Sequence, residues 1–148
     1  MEEIINSNNI KEVQEYNINK KILIETTIKL NNFNFLKLLF ENGITEDYNS
    51  KKALELCIEH SNIDMFKYLH KNGIGLLQNT MIDKAALFQK EDIIKYINEK
   101  RKVKCSSGII VKLLSDKKLD FINNLIEKKS CQVPENFMVL LMAAYNDI

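Results

Sequence analysis

The stretch FNFLKLLFENGI (33–44) returns thirty residues later as IDMFKYLHKNGI (63–74), and this recurrence restricts the fold more than any other feature of the chain. Written in register, each glycine follows a short helical pattern with apolar residues at i, i+1 and i+4: Phe35, Leu36, Leu39, then Met65, Phe66, Leu69. The same triplet recurs as Ile93, Ile94, Ile97 and as Phe121, Ile122, Leu125, at intervals of 30, 28 and 28. Ahead of each lies a second pattern at i, i+3, i+4: Ile24, Thr27, Ile28; Leu54, Cys57, Ile58; Ile82, Ala85, Ala86; Ile110, Leu113, Leu114; and a last copy, Leu140, Ala143, Ala144. The apolar seam breaks about every ten residues instead of running on in heptads, which excludes a coiled coil. Helix pairs this short cannot bury their own apolar faces, so copies must stack. The expectation is an all-α helical-repeat solenoid.

Local signals agree. Gly43 and Gly73 sit where a helix ends in a left-handed turn, and Ile44 and Ile74 supply the apolar contact that follows such a cap. SNID (61–64) and TMID (80–83) read as capping boxes at two helix starts. The chain has one proline, Pro134, four glycines and no convincing period-2 alternation, so strands are at most minor.

A period near thirty, helix–turn–helix units and a glycine closing the second helix resemble ankyrin repeats, whose usual period is about 33. ALELCIEHSNIDMFKYLHKNGI (53–74) is the best copy; Cys57–Ile58, Ala85–Ala86 and Ala143–Ala144 stand where that family has paired small residues. The copies diverge. None has the family's threonine-proline start, Asn31-Asn32, Ser61-Asn62 and Gln89-Lys90 replace its glycine-histidine turn, and copies three and four lack the closing glycine. Intervals of 28 leave little room for a β-hairpin, so short or irregular loops are expected there. Tetratricopeptide repeats fit less well, because their 34-residue period and aromatic pattern are absent. The resemblance divides one domain, 1–148, into a half-repeat 1–20, repeats of about 21–50, 51–78, 79–106 and 107–136, and a truncated repeat 137–148. Divergent repeats of this kind resemble those of AT-rich large DNA viruses and protists. Lys, Asn and Ile supply 20, 18 and 20 residues, a matching codon bias.

The chemistry of catalysis is hard to find. The two histidines, His60 in an expected turn and His70 at an expected exposed helix end, have no carboxylate or thiol at ligand spacing. Cys57, Cys105 and Cys131 form neither a disulfide framework nor a metal knuckle. Cys57 reads as a buried thiol; Cys105, between Lys102 or Lys104 and SSG, is the one thiol with a lowered pKa in prospect. SSG lacks the rest of a phosphate loop, and Glu2–Glu3 and Glu46–Asp47 read as solvated acids. No enzyme, metal or cofactor is expected. The acidic, polar start MEEIINSNN is no secretory signal, and no apolar run approaches a bilayer span. An intracellular, cytoplasmic setting follows, in a host cell if the chain is viral.

Net charge is +1, yet residues 84–129 hold 12 basic and 6 acidic side chains. EKRKVK (99–104) with Lys117–Lys118 and Lys128–Lys129 suggests a basic edge formed by stacked loops. No aromatic interleaves the basic run and no groove-reading motif is present, which argues against nucleic acid. What the ankyrin resemblance implies is a protein partner held by the concave surface; the alternative is a scaffold domain that positions an effector region of a longer protein. Carried across position by position, the resemblance puts partner contacts at the ends of the first helices, Lys29, Glu59, His60, Leu87, Phe88, Ser115, Asp116 and Tyr145, and at the loop positions Tyr48, Lys51, Asn79 and Ser107. Leu87 and Phe88 are either an apolar anchor or a sign that repeat three is distorted and Phe88 tucked under its short loop. The apolar stretch 136–148 adds the expectation of self-association.

Overall fold

A computed structural model of the chain describes residues 1–45, 48, 51–60 and 62–146, with the backbone alone at 145 and 146. Among these residues there are eleven α-helices and no strand. The chain divides into two compact units, Met1–Leu76 and Leu77–Ile148.

The first unit contains α1 (Glu2–Asn6), α2 (Ile10–Glu15), α3 (Lys20–Lys29), α4 (Phe33–Glu41), α5 (Lys51–His60) and α6 (Ile63–Lys71). α3 packs on α4, α5 on α6, and the two first helices, α3 and α5, pack on each other. The second helices meet as well, Tyr68 of α6 standing edge-on to Phe33 and Phe40 of α4 at 5.4 and 5.2 Å. Where half a copy was expected at the N-terminus, α1 and α2 form a short pair that buries Ile5 and Val13 and packs on α4. The second unit contains α7 (Thr80–Leu87), α8 (Glu91–Arg101), α9 (Ser107–Ser115), α10 (Leu119–Glu127) and α11 (Phe137–Asn146). Here α7 pairs with α8 and α9 with α10, while α9 also contacts α7 and α11.

The repeated triplets are the core. All twelve second-helix positions, from Phe35 to Leu125, are buried, as are the twelve first-helix positions from Ile24 to Leu114. Burying one such aliphatic or aromatic side chain contributes about 1.5–3 kcal/mol, so stacking rather than helix propensity holds these eight- to eleven-residue helices. α11 is the exception: Leu140 and Ala144 are half-buried and Ala143 is exposed.

One backbone device makes the turn inside four of the pairs, α1–α2, α3–α4, α7–α8 and α9–α10. Asn8, Asn31, Gln89 and Lys117 have φ between 52° and 56°, and each is followed by the N-cap residue of the next helix. After Asn31, for example, the Asn32 N–H donates to the Thr27 carbonyl at 3.1 Å, while Asn31 N–H donates to Ile28 at 3.0 Å. This is the double bond pattern of a left-handed helix stop. The second helices close the same way: Gly43 and Gly73 have φ of 68° and 76°, and Ile44 and Ile74, both buried, donate to Leu39 and Leu69 at 3.0 Å. Copies three and four keep the conformation without the glycine, at Lys102 (φ 55°) and Lys129 (φ 52°).

Two capping expectations are corrected. The N-cap of α6 is Asn62, whose Oδ1 accepts the Met65 N–H at 3.1 Å, so its cap lies one residue later than the box implied; Ser61 lies outside the described residues. α7 starts at Thr80 after an N-cap, Asn79, that makes no side-chain cap, and Asp83 accepts the Ser106 N–H at 2.7 Å instead. In the loops that follow α8 and α10, Cys105 and Cys131 form an isolated parallel bridge, with Cys105 N–H donating to Ser130 and Gln132 N–H donating to Cys105, both at 2.8 Å. One bridge stands where a hairpin had no room.

Candidate functional site

Antiparallel pairing sorts each unit into a turn end, where first helices finish, and a loop end, where they begin. Of the expected contacts, Lys29, Glu59 and His60 lie at the turn end of the first unit, and Leu87, Phe88, Ser115 and Asp116 at that of the second. His60 is the last residue of α5 rather than a turn residue, with Nε2 3.5 Å from the Glu59 carboxylate. His70, expected at an exposed end, is half-buried on α6. Ser115 Oγ donates to the Lys112 carbonyl at 2.7 Å, and Asp116 accepts from Lys112 Nζ at 3.2 Å. These polar groups are therefore engaged within their own helix.

Leu87 and Phe88 contrast with them. They are 43% and 45% exposed at the last turn of α7. Phe88 is not tucked under a loop. The Phe88 N–H donates to Lys84 at 3.1 Å and Gln89 turns left-handed after it, which fixes the backbone that carries both side chains. In the first unit Leu30, at the position equivalent to Phe88, is 39% exposed. The aligned set stopped at Lys29 and missed it; counting one residue further in that repeat would have found it.

The loop-end candidates are not brought beside Leu87 and Phe88. Asn79 precedes the eight-residue α7 and Leu87 ends it, about 12 Å away by helical rise. Asn79 is exposed, Ser107 half-buried at the start of α9, and Lys51 exposed with Nζ 3.6 Å from Glu55. Tyr48 is a correction. Its N–H donates to the Thr45 carbonyl at 2.9 Å and the residue is 8% exposed, so it belongs to the interior of the first unit rather than to an exposed tip. Glu46 and Asp47, read as solvated acids, and the side chain of Tyr145 lie outside the described residues.

Cys105 is also corrected. It is fully buried, and burial, reinforced by the Asp83 carboxylate and then by Cys131, pushes its thiol up to about 12. Neighbouring lysines in the sequence do not reach a thiol turned inward. Burial likewise raises Cys131, with Lys104 opposing, and Cys57 is fully buried. Among the described residues no three His, Cys, Asp or Glu side chains converge on a metal position. A groove of about 470 Å³ between α8 and α10 holds Glu91, which accepts from Asn124 Nδ2 at 3.1 Å and Lys128 Nζ at 2.8 Å. That carboxylate is committed to structure.

The basic edge splits in two. Lys117 and Lys118 form the turn before α10, whereas Lys128 and Lys129 follow it, about 13 Å away by the rise of nine residues. Only the latter pair shares the loop end with Lys102 and Lys104. No helix among the described residues is long and apolar enough to cross a membrane. The chain matches no protein-family model, no curated protein and no solved structure.

Proposed function

We propose that the chain is a protein-interaction module of ankyrin-like helical repeats, with Leu87 and Phe88 as the apolar anchor for its partner. The observation that carries this reading is the pair of adjacent large apolar side chains, each more than two-fifths exposed, beside helix ends whose polar groups bond locally. A few large side chains commonly dominate an interface, and truncating one costs about 2 kcal/mol or more of binding. The reading assigns no catalytic role: the three thiols are buried. Free cysteines fit a reducing compartment inside the cell. A photo-crosslinking residue in place of Phe88, compared in cells with the same residue in place of Asn123 on α10, tests the proposal. One discrete adduct from position 88 and none from 123 is expected. Equal labelling from both, or none from 88, contradicts it.

A further inference from the structure

The loop end of the second unit carries a cluster of exposed positive charge. Arg101, Lys102, Lys104 and Lys129 are exposed, and among the described residues none of them forms an ion pair. Glu99 and Glu127, on the preceding helical turns, offset part of this charge; Asp83 is committed to the Ser106 N–H and Glu91 to Lys128.

These cations stand on a rigid base. The Cys105–Cys131 bridge ties the two loops together. Lys102 N–H donates to Asn98 at 2.7 Å, and the Asn98 side chain returns a bond to the Val103 carbonyl at 2.7 Å. A site ordered before binding loses less entropy when it binds.

Left-handed residues other than glycine also make the turns inside four helix pairs, so the informative contrast lies at the closing turns. There the first unit uses Gly43 and Gly73, whereas the second places lysine, which has no short polar side chain to relieve the conformation. Strain retained where glycine would remove it is a pointer to function.

The chemistry of the recess between the loops is one-sided. Asn79, Lys102, Val103, Lys104 and Gln132 enclose about 400 Å³. Arg101 Nε and Nη2 both donate to Asn79 Oδ1 at 3.4 Å, which occupies the acceptor of that amide and leaves its N–H groups. Two ammonium groups and an oriented amide donor select an acceptor-only group, a carboxylate or a phosphate oxygen. Single-stranded nucleic acid needs exposed rings for its bases. The aromatic residue on the adjoining helix, Tyr96, is 7% exposed and lies 5.9 Å beneath Lys100 Nζ.

We infer that this lip binds an acidic protein segment, seating an Asp or Glu carboxylate between Lys102 and Lys104 while flanking acids reach Arg101 and Lys129. The inference rests on the reading of the chain as a protein-interaction module and names the chemistry of part of its partner.

Fluorescence anisotropy of a labelled Asp/Glu peptide, titrated with the whole chain, tests it. Binding is expected, and it should weaken as salt rises from about 50 to 200 mM. Lys102→Glu/Lys104→Glu should weaken it at least about tenfold. Lys117→Glu/Lys118→Glu, an equal charge change at the turn end, should leave it nearly unchanged. Lys102→Gly/Lys129→Gly should raise the unfolding midpoint yet weaken peptide binding, separating function from folding. Leu87→Ala/Phe88→Ala should bind the peptide as the parent does, so failure of the apolar anchor and failure of the lip are read separately. No peptide binding by the parent chain overturns the inference. So do equal losses from the two charge reversals, a glycine variant that binds unchanged, or equal binding of a single-stranded oligonucleotide of matched charge.

Discussion

The side-chain amide of Asn32 donates to the backbone carbonyl of Ile5 at 2.7 Å while its Oδ1 accepts the Phe35 N–H at 3.0 Å. One side chain thus caps α4 and ties the first helix pair to the second. Replacing it with alanine removes both functions. Asn32→Ala should cost about 2 kcal/mol, about 1 for the cap and the rest for the lost hydrogen bonds to the Ile5 carbonyl and Asn8 Oδ1. Asn32→Ser keeps a capping oxygen and should lose only about half as much. Urea unfolding of the two variants checks this: equal losses would show that the cap contributes nothing, and a serine variant as stable as the parent would show that the bond to Ile5 contributes nothing.

Phe66 is fully buried at the repeated inward position of α6. Phe66→Ala should cost roughly 3–5 kcal/mol, the usual range for truncating a buried aromatic. α6 packs on α5, so the loss should extend beyond α6 and appear as faster amide exchange in α5 too. A loss below about 1 kcal/mol would mean that the inward register is wrong.

The inward triplets were legible in the sequence because burial imposes its period on every copy, and Gly43 and Gly73 announced their turns by being glycine. Lys102 and Lys129 adopt the same conformation but carry no residue-level signal; only their place after the triplet marks them. Lys117–Lys118 and Lys128–Lys129 look alike along the chain, yet the helix between them reverses direction and puts them at opposite ends. The burial of Tyr48 and Cys105 depends on packing and on the pairing of loops distant in sequence, which local patterns do not encode. Position after the paired alanines marked Leu87 and Phe88 as a helix end, but whether Phe88 stays exposed or tucks under the short loop depends on packing, which left it 45% exposed. Leu30, one place beyond the aligned residue in its own copy, was not marked.

The Cys105 thiol makes stability depend on alkaline pH. Burial raises its pKa from 9.0 to about 12, so the folded protein holds the proton where the unfolded chain has released it. The stabilisation is complete below about pH 9 and is lost as pH rises towards 12, at up to ~1.4 kcal/mol per pH unit for the one proton. Unfolding measured between pH 9 and 11 should therefore fall more steeply for the parent chain than for Cys105→Ala. Parallel slopes would place the thiol in water.

Met138, Val139 and Met142 of α11 are 64%, 67% and 61% exposed on a helix that has no acidic residue in its first turn and no basic residue in its last. Such a patch favours association. Sedimentation should show self-association that grows with concentration, and Met138→Lys/Met142→Lys should suppress it. A monomer at every concentration would contradict this expectation.

The most direct test of the interaction reading is to remove the anchor without disturbing the core. Both side chains of Leu87 and Phe88 are more than two-fifths exposed, whereas Ile82, Ala85 and Ala86 on the same helix are buried. Affinity for the cross-linked partner and the urea midpoint should be measured together on Leu87→Ala/Phe88→Ala. The account predicts binding weakened at least about tenfold with a midpoint close to that of the parent chain. A large drop in the midpoint, or unchanged binding, would contradict it.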